Sequence, residues 1–160
     1  MVDANIDLLE QVSLFSGLSK TQLGAIAAIG RKSFFQEGEA LISEGEAGDT
    51  AYLIISGKAG CPKIEDRQII EEDLWPGAMV GELAILVETT HNFTVTAKER
   101  VRALAIPREA FRLVMETDPA IAQHISDKLL VRLHALTEDL RNLDSKLAEI
   151  EKLAEIEKAA

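Results

Sequence analysis

The chain reads as an α+β protein, helical at both ends with a run of short strands between. Three observations predict this. Apolar residues recur at helical spacing over residues 5–30, and the pattern changes to short strands punctuated by glycine over residues 33–106. A helical period then returns and lasts to Ala160. Many short strands with Gly-rich turns pack as a sandwich or a barrel.

In the first part Leu8, Leu9, Val12, Leu23, Ile26 and Ile29 fall at the three- and four-residue spacings of a helix face. The strands that follow include Ala51-Tyr52-Leu53-Ile54-Ile55, Gln68-Ile69-Ile70, Phe93-Thr94-Val95-Thr96-Ala97 and Arg102-Ala103-Leu104-Ala105-Ile106. Lys63-Ile64-Glu65-Asp66-Arg67 reads as the polar tip of a hairpin between two of them. Gly38, Gly45, Gly48, Gly57 and Gly77 stand where turns need positive φ or a bare backbone. Pro107 opens a short helix over residues 107–115. Asp118 followed by Pro119 pairs an N-cap side chain with proline at the first helical position. No Gly or Pro follows, so one long helix is expected.

On that helix Leu133, Leu136, Leu140, Leu143, Leu147 and Ile150 alternate three- and four-residue steps, the seam of a coiled coil. Such a stripe packs either on the chain's own sheets or against a second chain. A rod projecting about 60 Å at 1.5 Å per residue outruns one side of a domain, which favours a parallel pair. Leu147-Ala148-Glu149-Ile150-Glu151-Lys152 is repeated without change as Leu153-Ala154-Glu155-Ile156-Glu157-Lys158. Six residues turn a helix through about 600°, so each repeat lands about 120° from the last. The tail, built of strong helix formers, is expected to stay helical but to leave the seam near Ile150. The expected division is residues 1–118 for the strands and flanking helices and 119–160 for the long helix.

Pro76-Gly77-Ala78-Met79-Val80-Gly81-Glu82-Leu83-Ala84-Ile85-Leu86, with Thr89-Thr90-His91-Asn92-Phe93-Thr94-Val95-Thr96-Ala97 after it, resembles the phosphate-binding cassette of the cyclic-nucleotide-binding domain family. Val12-Ser13-Leu14-Phe15-Ser16-Gly17-Leu18-Ser19 is similar to the family's N-terminal helix and turn. Residues 35–49 match its first paired strands glycine for glycine, and residues 52–57 continue the match. The resemblance extends from about Leu8 to Leu143. It implies an eight-stranded β jelly-roll barrel with N-terminal helices and a long C-terminal dimerisation helix, as in bacterial Crp/Fnr-like effector domains. Transcription factors of the family add a helix-turn-helix domain after that helix. This sequence ends without one, so a stand-alone module acting through a downstream protein is expected.

The resemblance also implies site residues. In the family, backbone amides at the positions of Gly81, Glu82, Leu83 and Ala84 cradle the cyclic phosphate, as helix N-termini commonly hold anions. The carboxylate at Glu82 accepts from the ribose 2′-hydroxyl. Binders of cAMP or cGMP carry an arginine where this chain has His91, beside Asn92. Imidazole is mostly neutral at pH 7 and cannot reproduce the guanidinium fork on a phosphate. Loss of such a pairing costs a few kcal/mol, about two orders of magnitude or more in affinity. Phe93 falls where binders usually have a small residue, and its ring is either core or a plug in the phosphate pocket. The His-x-Phe-Thr order is similar to the Fnr and FixK branch, which does not respond to cyclic nucleotides. On the long helix, Thr137 keeps one of two hydroxyls that cap adenine in catabolite-activator-type members, and Leu136 replaces the other.

Each of these residues also has a plainer reading. Glu82 is then a partly buried carboxylate satisfied by backbone amides, His91 a surface loop residue, and His124 and His134 solvent-facing positions on the helix.

Composition narrows the function. The chain is 47% hydrophobic and 28% charged, enough for one core. No apolar run approaches the roughly 20 residues that span a bilayer, and the N-terminus lacks the pattern of a signal peptide. Cys61 stands alone, which fits a cytoplasmic location. Net charge is −10, with 27 acidic against 17 basic residues, so direct nucleic-acid binding is not expected. Three histidines without metal-ligand spacing, no nucleophile elbow and no Walker loop argue against an enzyme. Glu44, Glu46 and Asp49 lack the spacing of a calcium loop. Two readings follow, with no certain cofactor. One is a homodimeric sensor binding cAMP, cGMP or another nucleotide weakly, and the other is a ligand-free dimerising interaction domain.

Overall fold

The computed structural model describes residues 2–159. Two helices come first, α1 (Val2–Gln11) and α2 (Lys20–Ile29). Between them Val12, Leu14, Phe15 and Leu18 are buried, so the connection is part of the core. Ser19 and Gln22 form a capping box, each side chain accepting from the other's backbone amide. This satisfies donors that the first turn of α2 leaves open. Leu9, Leu23 and Ile26 are fully buried, as the helical spacing requires.

Eight strands then form two antiparallel four-stranded sheets. The first runs β1 (Arg31–Phe35), β10 (Val101–Pro107), β4 (Thr50–Ser56) and β7 (Met79–Val80) in spatial order. The second runs β2 (Ala40–Ile42), β9 (Val95–Ala97), β5 (Ala59–Glu65) and β6 (Gln68–Leu74). Two further strands, β3 (Ala47–Gly48) and β8 (Thr89–Thr90), pair as a separate ribbon. The core lies between the sheets. Ile54, Val80, Val101 and Ala103 of the first meet Leu41, Ile42, Ala59, Val95 and Ala97 of the second in one buried cluster. Each large apolar side chain so buried contributes about 1.5–3 kcal/mol.

The eight-stranded roll is therefore present, but as a sandwich and not a closed barrel. β7 has two residues and β2 three, too few to carry a continuous ladder around the corner between the sheets. The hairpin tip is also tighter than its polar composition implied. β5 and β6 stay paired to Glu65 and Gln68, leaving only Asp66 and Arg67 in the turn, with φ of 47° and 65°. β9 begins at Val95, so Phe93 and Thr94 belong to the segment entering it.

Two helices close the chain, α3 (Arg108–Thr117) and α4 (Pro119–Ala159). Pro107 is the N-cap of α3, and Phe111 on that helix sets its ring 5.9 Å from that of Phe15. Asp118 ends α3 and caps α4, its Oδ1 accepting from Ala120 N at 3.1 Å. α4 continues as helix through the repeated tail. The described chain forms two compact units, the first ending at Ala122 and the second starting at Gln123, inside α4. In the second unit Leu133, Leu136, Leu140, Leu143, Leu147 and Ile150 are each 49–62% exposed.

Candidate functional site

The cassette segment begins at Gly81, whose backbone takes the left-handed conformation (φ 72°, ψ 33°) and starts a four-residue 3₁₀ turn, Glu82–Ile85. An L side chain is strained in that conformation, which explains glycine at this position. Ala84 N donates to the Gly81 carbonyl at 3.0 Å, and Leu86 N to that of Leu83 at 3.0 Å. Ala84 and Ile85 point inward and are buried, whereas Leu83 is 55% exposed. Glu82 is partly buried.

His91 is placed by its backbone. Its amide donates to the Glu46 carbonyl and its carbonyl accepts from Gly45 N, both at 2.9 Å, extending the β3–β8 ribbon. The imidazole lies directly over Gly48. A Cβ added at Gly48 would stand 2.5 Å from His91 Cε1, 2.6 Å from Nε2 and 3.1 Å from the Ala84 Cβ. One added at Gly81 would stand 3.5 Å from His91 Cε1. Gly48, Gly81, Ala84 and His91 therefore converge, and His91 is no free surface loop residue.

The imidazole lines a small depression with Ser43, Glu46, Asp49, Thr50 and Tyr52, of about 110 Å³. Ligand clefts commonly enclose roughly 300 Å³ or more. Two carboxylates on its wall disfavour an anion. Burial, with Asp49 adding to it, pushes the Tyr52 phenol above its ordinary range, so the ring stays a neutral wall. Glu44 N donates to Thr94 Oγ1 at 3.0 Å, which pins the segment leading into β9.

Arg108 was not among the residues singled out by sequence, and its side chain contacts the cassette backbone. Its Nη1 donates to the carbonyls of Gly48, Ala84 and Val87 at 3.0, 3.2 and 3.1 Å. Its amide donates to the Asp49 carbonyl at 2.7 Å. A signal did exist in the sequence. A cation at the first position of a helix opposes the macrodipole and calls for another explanation.

Asn92 and Phe93 are not drawn into this cluster. Asn92 is exposed. Phe93 is 42% exposed and outside the wall of the depression, so it is not the core residue that one reading made it. Leu136 and Thr137 stand on α4 in the second unit, where the Thr137 hydroxyl donates to the Leu133 carbonyl at 2.9 Å. His124, expected to face solvent, is partly buried. Among the described residues no cluster of His, Cys, Asp and Glu is arranged to hold a metal ion.

Comparison with known proteins agrees with this geometry. The family model "Cyclic nucleotide-binding domain" matches residues 32–118. The chain is 28% identical over 139 residues to a CRP-like cAMP-activated global transcriptional regulator of Mycobacterium tuberculosis, covering 86% of this chain and 62% of the regulator. It is 33% identical over 108 residues to a cAMP-dependent protein kinase regulatory subunit of Schizosaccharomyces pombe, covering 68% of this chain and 26% of the subunit. The chain thus spans less than two thirds of either relative's length. In fold it is similar to the N-terminal domain of a transcriptional regulator from Streptomyces coelicolor, with a TM-score of 0.76 and 22% identity over 84% of this chain and 95% of that one.

Proposed function

The chain belongs to the cyclic nucleotide-binding domain family, and from that membership we propose that it is a regulatory module with a cation-poor phosphate site. Cyclic nucleotide is its ligand class, and cAMP binds far more weakly than in relatives with an arginine at the position of His91. The observation that carries the reading is the His91 imidazole lying over Gly48 and beside Gly81, where the phosphate cation is expected. An imidazole lacks the two parallel donors that hold a phosphate edge-on. Glu46 and Asp49 on the same wall add repulsion. Gly81, Glu82, Leu83, Ala84, His91 and Asn92 are the proposed contacts, with Phe93 at their margin.

The relatives act in regulation, one as a cAMP-activated regulator and one as a kinase regulatory subunit. This supports a non-enzymatic role in which the sheets and flanking helices sense and α4 carries the output to a protein partner. Thr137 and Leu136 are then the α4 positions nearest in sequence to the family's adenine cap. The lone Cys61 supports a cytoplasmic setting, and among the described residues no helix is long and apolar enough to cross a membrane.

Calorimetric titration with a panel of cyclic mono- and dinucleotides tests the proposal. The expected result is no saturation by cAMP or cGMP at low micromolar ligand. Tight cAMP binding would refute the cation-poor site. A second reading, a ligand-free dimerising interaction domain, is favoured by the small volume of the depression, and silence across the whole panel would select it.

A further inference from the structure

We infer that Arg108 is a positioning residue that locks the 3₁₀ turn of the cassette to the start of α3. One guanidinium nitrogen, Nη1, reaches three backbone carbonyls, those of Gly48, Ala84 and Val87, with its two N–H groups, one of them shared between two acceptors. The amide of the same residue donates to the Asp49 carbonyl. A single residue therefore ties together β3, the approach to β4, the 3₁₀ turn and the first turn of α3.

The acceptors explain why the tie is needed. A four-residue 3₁₀ turn ends with carbonyls that have no partner further along its own axis, and two of the three acceptors lie at or just beyond that end. The third belongs to Gly48, the residue under the His91 ring. A guanidinium donates only, and its donors are fixed in one plane. Movement of the turn relative to α3 would therefore break these bonds together instead of stretching one. Arginine at the first position of α3 is unfavourable toward the helix dipole, and the sideways reach to the turn supplies the offsetting interaction.

An occupant that shifts Gly81, Ala84 or His91 is then felt at α3, whose Phe111 packs against Phe15. This consequence, unlike the lock itself, rests on the reading of residues 81–92 as a ligand site.

Amide hydrogen exchange on the full chain tests the lock. In Arg108→Met, the amides of residues 84–87 should exchange roughly tenfold faster or more, while those of β5 and β6 keep their rates. Arg108→Lys, whose ammonium carries three N–H donors, should recover most of the lost protection. Unchanged exchange at residues 84–87 in Arg108→Met overturns the proposal. Uniform acceleration across both sheets overturns it too, because Arg108 would then support only global stability. If Arg108→Met does not fold, Arg108→Gln is judged by the same two criteria. No nucleotide enters this assay, so failure to bind cAMP leaves the lock standing, and failure of the lock leaves the ligand reading standing.

Discussion

His91 and Phe93 are two residues apart, yet the fold uses them differently. The His91 ring lies over Gly48, while Phe93 is 42% exposed and outside the depression. On the proposed reading charge is the missing element, and His91→Arg alone should raise cAMP affinity by roughly a hundredfold or more, read by calorimetry. If only His91→Arg combined with Phe93→Ala binds, the ring is a plug after all, and the two effects will be non-additive. Exposure also sets the cost of Phe93→Ala, which urea denaturation should place below about 1.5 kcal/mol instead of the 3–5 of a core phenylalanine. A third test concerns Lys98, the residue after β9, which pairs with Glu71 and Asp73 of β6. Its hydrogen bond holds the Asp73 carboxyl below the ordinary 3.8, and the bonds to Asp73 and Glu71 hold the Lys98 ammonium above 10.5. The folded carboxyl binds fewer protons than the unfolded one, so its contribution is complete above 3.8 and lost as pH falls through the lower folded value. The raised ammonium is the reverse, complete below 10.5 and lost above it. The stability difference between the unmutated protein and Lys98→Met should thus be flat from about pH 5 to 9 and shrink below the carboxylate range. A difference that changes across neutral pH would contradict this assignment. At this scale the sequence disclosed His91 and Gly81 because a local motif carries them. It did not disclose Arg108, whose role exists only once carbonyls 60, 24 and 21 residues away are folded against it.

Helices were legible because their signals are local. The Asp118–Pro119 start and the three- and four-residue apolar steps each act within a turn or two. Sheet geometry was less so, since register depends on partners distant in sequence. The β5–β6 hairpin shows the difference: its polar composition suggested a tip over residues 63–67, but cross-strand pairing continues to Glu65 and Gln68. That leaves Asp66 and Arg67 both at positive φ, the geometry that favours Asn-Gly in two-residue hairpins. Replacing them by Asn-Gly should raise stability by about 0.5–1 kcal/mol, because a non-glycine residue is strained there. Thermal unfolding of the double variant checks it, and a lower midpoint would mean that Arg67 makes a compensating contact. The closed barrel was a resemblance-level expectation. It gave way to a sandwich because barrel closure needs long edge strands, and β2 and β7 supply only three and two residues.

For the whole molecule, the decisive feature is the apolar stripe along α4. Leu133, Leu136, Leu140, Leu143, Leu147 and Ile150 lie on one helix at alternating three- and four-residue steps, and each is 49–62% exposed. A contiguous apolar stripe of this kind marks an interaction surface more often than a monomer's solvent face. Its spacing fits the seam of a parallel pair. The repeated tail adds Leu153 and Ile156, 65% and 59% exposed, but its six-residue period rotates them off that seam. Pairing should therefore depend on residues 133–150 and tolerate removal of residues 151–160. Sedimentation equilibrium at tens of micromolar should give twice the 17.5 kDa chain mass, for both the full chain and the shortened one. Leu140→Glu, at the middle of the stripe, should return the mass to that of a single chain, because a carboxylate in an apolar seam has no partner. Its circular dichroism should stay close to that of the parent, since Leu140 is 62% exposed in one chain and supports no core. A single-chain mass for the unmutated protein would remove the pair, and α4 would then have to pass its signal to a different protein through the same stripe.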